Sequence, residues 1–296
     1  MNTHFRWVIS SAILFNLLSS VLAFQPSGGV LRLDGVDDYA ILSFDEHGAL
    51  LPEDTHEFTI EMWLYPKAVL HERERNLILS QQVALQLLPS QHPACQPLEG
   101  QLCCVLTADL EGDRDVVASV STMVLLEQDR WHYLAIIYKD STYGRIHNNS
   151  IFGARRFALA NGPIQDLDRV FRPKDLFVGG YDVVLKEWKG VAWDFPVTSF
   201  HGNIDAIRIS DVARYDLPVL PGIEPFDPPD RFEADRHTLA LWNFDERQGA
   251  TRFVDASGHG KTLIGMNGAS VEQALAVNPA STSLTTTWGA IKSKAR

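Results

Sequence analysis

Asp34, Asp37 and Asp38 bring three carboxylates into the five residues Asp34-Gly35-Val36-Asp37-Asp38. Like charges at that spacing repel one another, and a hard cation held by carboxylate oxygens and loop carbonyls neutralises them, which is the ligand chemistry of Ca²⁺. The same residues also suit a local role, because aspartate in a turn accepts hydrogen bonds from nearby backbone N–H groups. Asp205 is the fourth candidate. In Asn203-Ile204-Asp205-Ala206-Ile207-Arg208-Ile209 it shares the odd-numbered row with Ile207 and Ile209, where an unpaired carboxylate is costly. Its expected partner is the cation of the early turn, or else Arg32 or Arg208.

A different chemistry is offered between Gly180 and Phe200, where Tyr181, Trp188, Trp193 and Phe195 accompany Lys186, Glu187 and Asp194. A flat ring covers the apolar face of a sugar while neighbouring carboxylates and amides take its hydroxyls. Tyr181, Trp188, Trp193 and Asp194 are therefore the expected ligand-binding residues. The alternative is that these rings fold back and pack over a sheet.

Signals for catalysis are poor. Glu111, Asp113 and Asp115 alternate, yet they begin at a turn, and glycoside hydrolysis needs two carboxylates about 5 to 9 Å apart across the scissile bond. The chain has no Gly-x-Ser-x-Gly elbow and no His-Glu-x-x-His pair, and in the stretch ending Gly260-Lys261-Thr262 Asp255 stands where a phosphate-binding loop has its first glycine. Of the three cysteines, Cys95 can close a small disulfide loop with Cys103 or Cys104, which leaves one thiol over. His92 beside Cys95 matches no zinc framework.

These groups need strands to position them. Phe58, Ile60, Met62 and Leu64 alternate with Thr59, Glu61, Trp63 and Tyr65, a period of two that a helix does not produce. Trp131 to Tyr138 and Leu239 to Phe244 carry apolar residues on both faces and are expected as central strands covered on both sides. Shorter extended runs fall at 30–34, 39–43, 76–80, 83–88, 102–108, 114–121, 175–178 and 203–209, with a hairpin turn at Glu111-Gly112-Asp113. So many strands with so little helical periodicity predict a two-sheet antiparallel sandwich. Pro218 to Pro229 holds five prolines and is expected to cross the surface in extended form.

The chain of 296 residues carries 26 Lys and Arg against 37 Asp and Glu, a net charge of −11, and has no basic block, which excludes nucleic acid as an expected partner. At 45% hydrophobic and 10% aromatic it can bury a large core. A short positive start, the apolar stretch Trp7 to Leu22 and the small-residue end Val21-Leu22-Ala23 form a secretory signal peptide over 1–23. No later stretch offers a membrane span, so the expected location is secreted or extracytoplasmic, the periplasm or the cell surface.

Leu31-Arg32-Leu33-Asp34-Gly35-Val36-Asp37-Asp38-Tyr39, Phe58-Thr59-Ile60-Glu61-Met62-Trp63, Asp129-Arg130-Trp131-His132-Tyr133-Leu134-Ala135 and Phe200-His201-Gly202-Asn203-Ile204-Asp205-Ala206-Ile207-Arg208-Ile209 resemble, in this order, the concanavalin A-like, laminin G-like jelly-roll domains of secreted bacterial proteins. The resemblance implies an all-β jelly-roll sandwich over 24–268. It also implies a structural calcium between the early turn and the last strand of the sheet, with Asp34, Asp37, Asp38 and Asp205 as ligands. Leu241-Trp242-Asn243-Phe244-Asp245-Glu246 with Asp255-Ala256-Ser257-Gly258-His259-Gly260 looks like the stretch that usually opens such a domain, so the module is expected to be permuted, with 238–265 supplying its first strand, the alternative being a second repeat cut short. Residues 269–296 are expected as a flexible tail. The fold hosts lectins, adhesion modules and glycanases alike. The expected function is a secreted, non-catalytic module binding carbohydrate or an extracellular surface ligand. The alternatives are an adhesive protein contact domain and a polysaccharide hydrolase or lyase.

Overall fold

The computed structural model describes residues 24, 26, 28–52, 55–67, 75–80, 83–89, 101–111, 117–139, 142–156, 174–180, 186–188, 191–193, 199–218 and 222–274. In chain order the elements are β1 (Gly29–Asp34), β2 (Tyr39–Leu42), α1 (Phe44–His47), β3 (Glu57–Pro66), β4 (Arg75–Leu79), β5 (Val83–Pro89), β6 (Gln101–Glu111), β7 (Val117–Glu127), β8 (His132–Lys139) and β9 (Thr142–His147). They continue with β10 (Ser150–Arg156), β11 (Leu176–Val178), β12 (Lys186–Trp188), β13 (Val191–Trp193), β14 (His201–Ser210), β15 (Ile223–Pro225), β16 (Thr238–Trp242), β17 (Arg252–Phe253), β18 (Leu263–Met266) and β19 (Ser270–Gln273).

All strand pairs are antiparallel and fall into two large sheets and one ribbon. The first sheet runs β15-β10-β9-β8-β3-β14-β1-β19 with β16 also on β14, and the second runs β17-β18-β2-β11-β4-β5-β6-β7. The chain is thus a two-sheet antiparallel β-sandwich, as its strand pattern predicted. Alternation along the central strand β3 explains the layering: Phe58, Ile60, Met62 and Leu64 point into the core between the sheets, where they meet Leu77, Ile78, Leu85, Leu176 and Val178 from the second sheet. Trp63, on the opposite row, faces a second apolar layer with Tyr133, Ala135, Ile137, Ala206 and Phe232. Residues 211–218 and 222–237 lie over that outer face and contribute Ala213, Tyr215, Leu217, Phe226 and Phe232 to it. The proline-rich stretch therefore does more than cross the surface: it supplies β15 at the edge of β10 and seals one face of the first sheet.

Strand β14 positions the chemistry. One of its edges pairs with β3, while the other is shared end to end, with β1 on His201 to Ile204 and β16 on Ile207 to Ser210. At the handover a bulge shifts the register between Ile204 and Ala206. Ile204, Ile207 and Ile209 all face the inter-sheet core and Ala206 the outer layer, so the row that sequence alternation draws through 205, 207 and 209 is broken at its first member.

Residues after 238 add β16 to the first sheet and β17 and β18 to the second. Residues 269–273, expected in the tail, are not tail: Ala269 and Val271 are buried in the core and β19 pairs with β1 from Gly29↔Gln273 to Arg32↔Ser270. Among the described residues no helix is long and apolar enough to cross a membrane.

Candidate functional site

The turn 35–38 carries the chain from β1 in the first sheet to β2 in the second, at one rim of the sandwich. Gly35 sits at φ 79° with its Cα against His201, where an added Cβ would lie 2.4 Å from the His201 Cβ, so the turn needs glycine there. The Val36 N–H donates to Asp34 Oδ1 at 2.8 Å, and the Asp34 N–H donates to Asp38 Oδ2 at 3.0 Å. These bonds are the local role expected of turn aspartates. They do not use up the carboxylates: Asp34, Asp37 and Asp38 each bring an oxygen within 4.8 Å of the others. Asp38 is buried, and that burial, followed by the nearby Asp34 charge, raises its pKa above the ordinary carboxylate value. A trio of crowded oxygen donors, one of them desolvated, fits a hard divalent cation such as Ca²⁺.

Two further loops meet this turn. Ser199 donates from Oγ to the Asp38 carbonyl at 2.6 Å, and the Phe200 N–H donates to the Gly179 carbonyl at 2.6 Å. A Cβ on Gly180 would stand 2.7 Å from the Asp38 carbonyl oxygen. Gly180 and Ser199, the described residues on either side of 181–198, thus both lie beside Asp38. Between them β12 and β13 form a two-stranded ribbon that, among the described residues, pairs with neither large sheet, in the register Lys186↔Trp193 and Trp188↔Val191. Tyr181 and Asp194 lie outside the described residues, as does Phe195. From the other direction, Asn267 in the β18–β19 turn donates from Nδ2 to the Asp37 carbonyl at 3.0 Å.

Asp205 does not join the turn. Asp34 pairs with His201, and Asp205 is four residues further along β14, roughly 13 Å away at the strand rise. Nor does it pair with Arg208, whose Nε donates to Glu61 Oε1 at 2.7 Å. Its neighbours are Asp245 and Arg231, themselves bridged at 2.8 Å, and burial, reinforced by the Asp245 charge, lifts its pKa to about 7. Of the four expected aspartates the described structure brings together Asp34, Asp37 and Asp38 and leaves Asp205 apart, because the pairing of β1 with β14 sets Asp34 opposite His201.

Sequence reasoning passed over Glu61. It is fully buried, with Tyr133 Oη and Tyr215 Oη donating to its Oε2 at 2.6 and 2.8 Å and Arg208 donating to Oε1. Burial followed by the Glu61 charge pushes the Tyr215 hydroxyl up to about 12 and Tyr133 well above its usual value, so both stay protonated as donors. A glutamate set between Ile60 and Met62 in a mostly apolar strand was the available signal. Asp255, which the phosphate-loop comparison met only as a missing glycine, accepts from the N–H groups of Leu241, Ser257 and Lys261 and from Ser257 Oγ, all within 2.7 to 3.0 Å. Cys103 and Cys104 are successive residues of β6, and Cys95 lies outside the described residues.

No family model and no curated protein matches the chain. Among solved structures it is similar to the native heptameric SAP-like pentraxin from Limulus polyphemus, at 11% identity and a TM-score of 0.38, over 64% of this chain and 78% of that one. It is also similar to mouse laminin alpha1 chain domains LG4-5, at 13% identity and 0.35, over 69% of this chain and 47% of that one. A third is the Ruminococcus gnavus IT-sialidase CBM40, at 10% identity and 0.33, over 62% of this chain and 90% of that one. These are likenesses of chain path, and no functional residue is carried over from them.

Proposed function

We propose that the protein is a secreted, non-catalytic binding module that takes carbohydrate, or another extracellular surface ligand, at the rim where the Asp34 turn and the β12–β13 ribbon emerge together. The observation that carries this reading is the approach of Ser199 and Gly180, the described residues on either side of 181–198, to the Asp38 carbonyl. A cation held by Asp34, Asp37 and Asp38 would fix that contact, and Trp188 and Trp193 would stack on sugar rings. The signal peptide over 1–23 would deliver the module outside the cytoplasm. Against catalysis stands the use of Glu61, whose two oxygens are occupied by Tyr133, Tyr215 and Arg208 under a sealed face, so it is a structural anchor and no general acid.

Isothermal titration of the full chain with Ca²⁺ tests the cation. Native protein is expected to bind it, and Asp34→Asn with Asp37→Asn to weaken binding by at least about tenfold. Equal heats in native and double variant would remove the turn from the reading.

A further inference from the structure

Two turns carry the chain between the sheets at one rim. Residues 35–38 lead from β1 in the first sheet to β2 in the second, and residues 267–269 lead from β18 in the second back to β19 in the first. Because β1 pairs with β19 and β2 with β18, the two crossings lie side by side. Asn267 joins them, donating from Nδ2 to the Asp37 carbonyl at 3.0 Å. The Ala269 N–H closes the second crossing on the Met266 carbonyl at 3.0 Å, and both central residues have positive φ, 59° at Asn267 and 136° at Gly268. Asparagine tolerates such a backbone better than most residues with a side chain, and a Cβ at 268 would stand 2.7 Å from Asp38 Oδ1, so the geometry calls for Asn followed by Gly. Both residues are exposed.

We propose that Asn267 is a site of spontaneous covalent modification, deamidation through a succinimide, and that its conversion unfastens the two crossings. Asparagine is among the thermolabile side chains, and a following glycine leaves the attacking backbone nitrogen without a neighbouring Cβ. The Gly268 nitrogen attacks Asn267 Cγ and forms a new C–N bond; the Cγ–Nδ2 bond breaks, and the amide nitrogen leaves as ammonia with the proton that Gly268 gives up. Water then adds to one of the two ring carbonyls and opens the succinimide, to aspartate or to isoaspartate, in which the main chain runs through Cγ. Either product puts a carboxylate where the Nδ2 donor stood, so the Asp37 carbonyl loses its donor and a further negative charge joins Asp34, Asp37 and Asp38. Isoaspartate also adds one carbon to the main chain of a turn that is held by a sheet at each end. Asn203 and Asn243, by contrast, precede the bulky Ile204 and Phe244. The inference does not depend on which ligand or cation the rim takes.

Ageing the full chain in mildly alkaline buffer, with peptide mass mapping, an isoaspartate assay and thermal denaturation at intervals, tests the proposal. The peptide holding Asn267 is expected to convert while those holding Asn203 and Asn243 do not, and Tm to fall by about 2 to 4 °C as conversion completes. Asn267→Asp is expected to begin at the lowered Tm without ageing. Asn161-Gly162 is the other Asn-Gly pair of the chain and lies outside the described residues. Two further variants therefore assign the loss: on ageing, the Tm of Asn161→Gln should fall as in native protein, and that of Asn267→Gln should hold at its own starting value. An Asn267 peptide that stays intact, a conversion that leaves Tm unmoved, Asn267→Asp at the native Tm, or an equal loss on ageing in Asn267→Gln would overturn the proposal.

Discussion

Between about pH 4 and 7 the folded chain keeps a proton on Asp205 that the unfolded chain has lost, because burial and Asp245 hold this carboxyl near 7. Stability is therefore drawn down as pH rises through that window, and the loss is complete above it. Asp205→Asn removes both the desolvation of the charge and the repulsion from Asp245, so thermal denaturation should show a higher Tm than native at pH 8 and no difference at pH 4; equal Tm at both would refute the assignment. His147 acts with the opposite sign. Its ring is buried against His132, with Nε2 3.3 Å from His132 Nδ1, while Asn148 Nδ2 and the Glu127 backbone complete the polar shell and the Arg145 charge lies close by. Burial first, then the like charges of His132 and Arg145, lower its pKa to about 3. Below pH 6.5 the unfolded chain takes up a proton that the folded chain refuses, so native stability should fall between about pH 6.5 and 3, and His147→Gln should flatten that slope in urea titrations. A slope unchanged by the substitution would show that the pair does not control it.

At the scale of elements, Asp255 ties the chain end of β16 to the turn before β18. Three backbone N–H groups and a hydroxyl converge on its carboxylate, and removing it leaves buried donors without an acceptor. Asp255→Ala is expected to destabilise the fold by about 2 to 4 kcal/mol in urea denaturation, and a loss under 0.5 kcal/mol would contradict the role given to it. What was legible beforehand follows the same division. The alternation in 58–65 fixed which residues of β3 face the core, because a period of two assigns faces without knowledge of the partners. Asp205 escaped, since its bulge arises where β14 hands one edge from β1 to β16, a long-range event that no local pattern announces. The outer cover escaped too: Ala213, Tyr215, Leu217, Phe226 and Phe232 are spaced by prolines and aspartates and carry no period, yet they seal the first sheet. The turn aspartates and the aromatic stretch were legible as separate groups, whereas the approach of Ser199 and Gly180 to Asp38 depends on the chain folding back across the sandwich.

For the whole molecule, one face of the first sheet is covered by residues 211–218 and 222–237, and the function proposed above places the ligand at the rim that joins the two sheets. There the sandwich presents the turn of Asp34, Asp37 and Asp38, with Ser199 and Gly180 against the Asp38 carbonyl. The most direct measurement of the rim account is binding of the full chain to an array of immobilised polysaccharides, in Ca²⁺ and after chelation, for native protein and for Trp188→Ala/Trp193→Ala. Glycan binding that falls on chelation and falls in the double tryptophan variant, with the circular dichroism of both unchanged, is the predicted result. Binding that survives both treatments at native strength, or no binding by the calcium-loaded native chain, would contradict it.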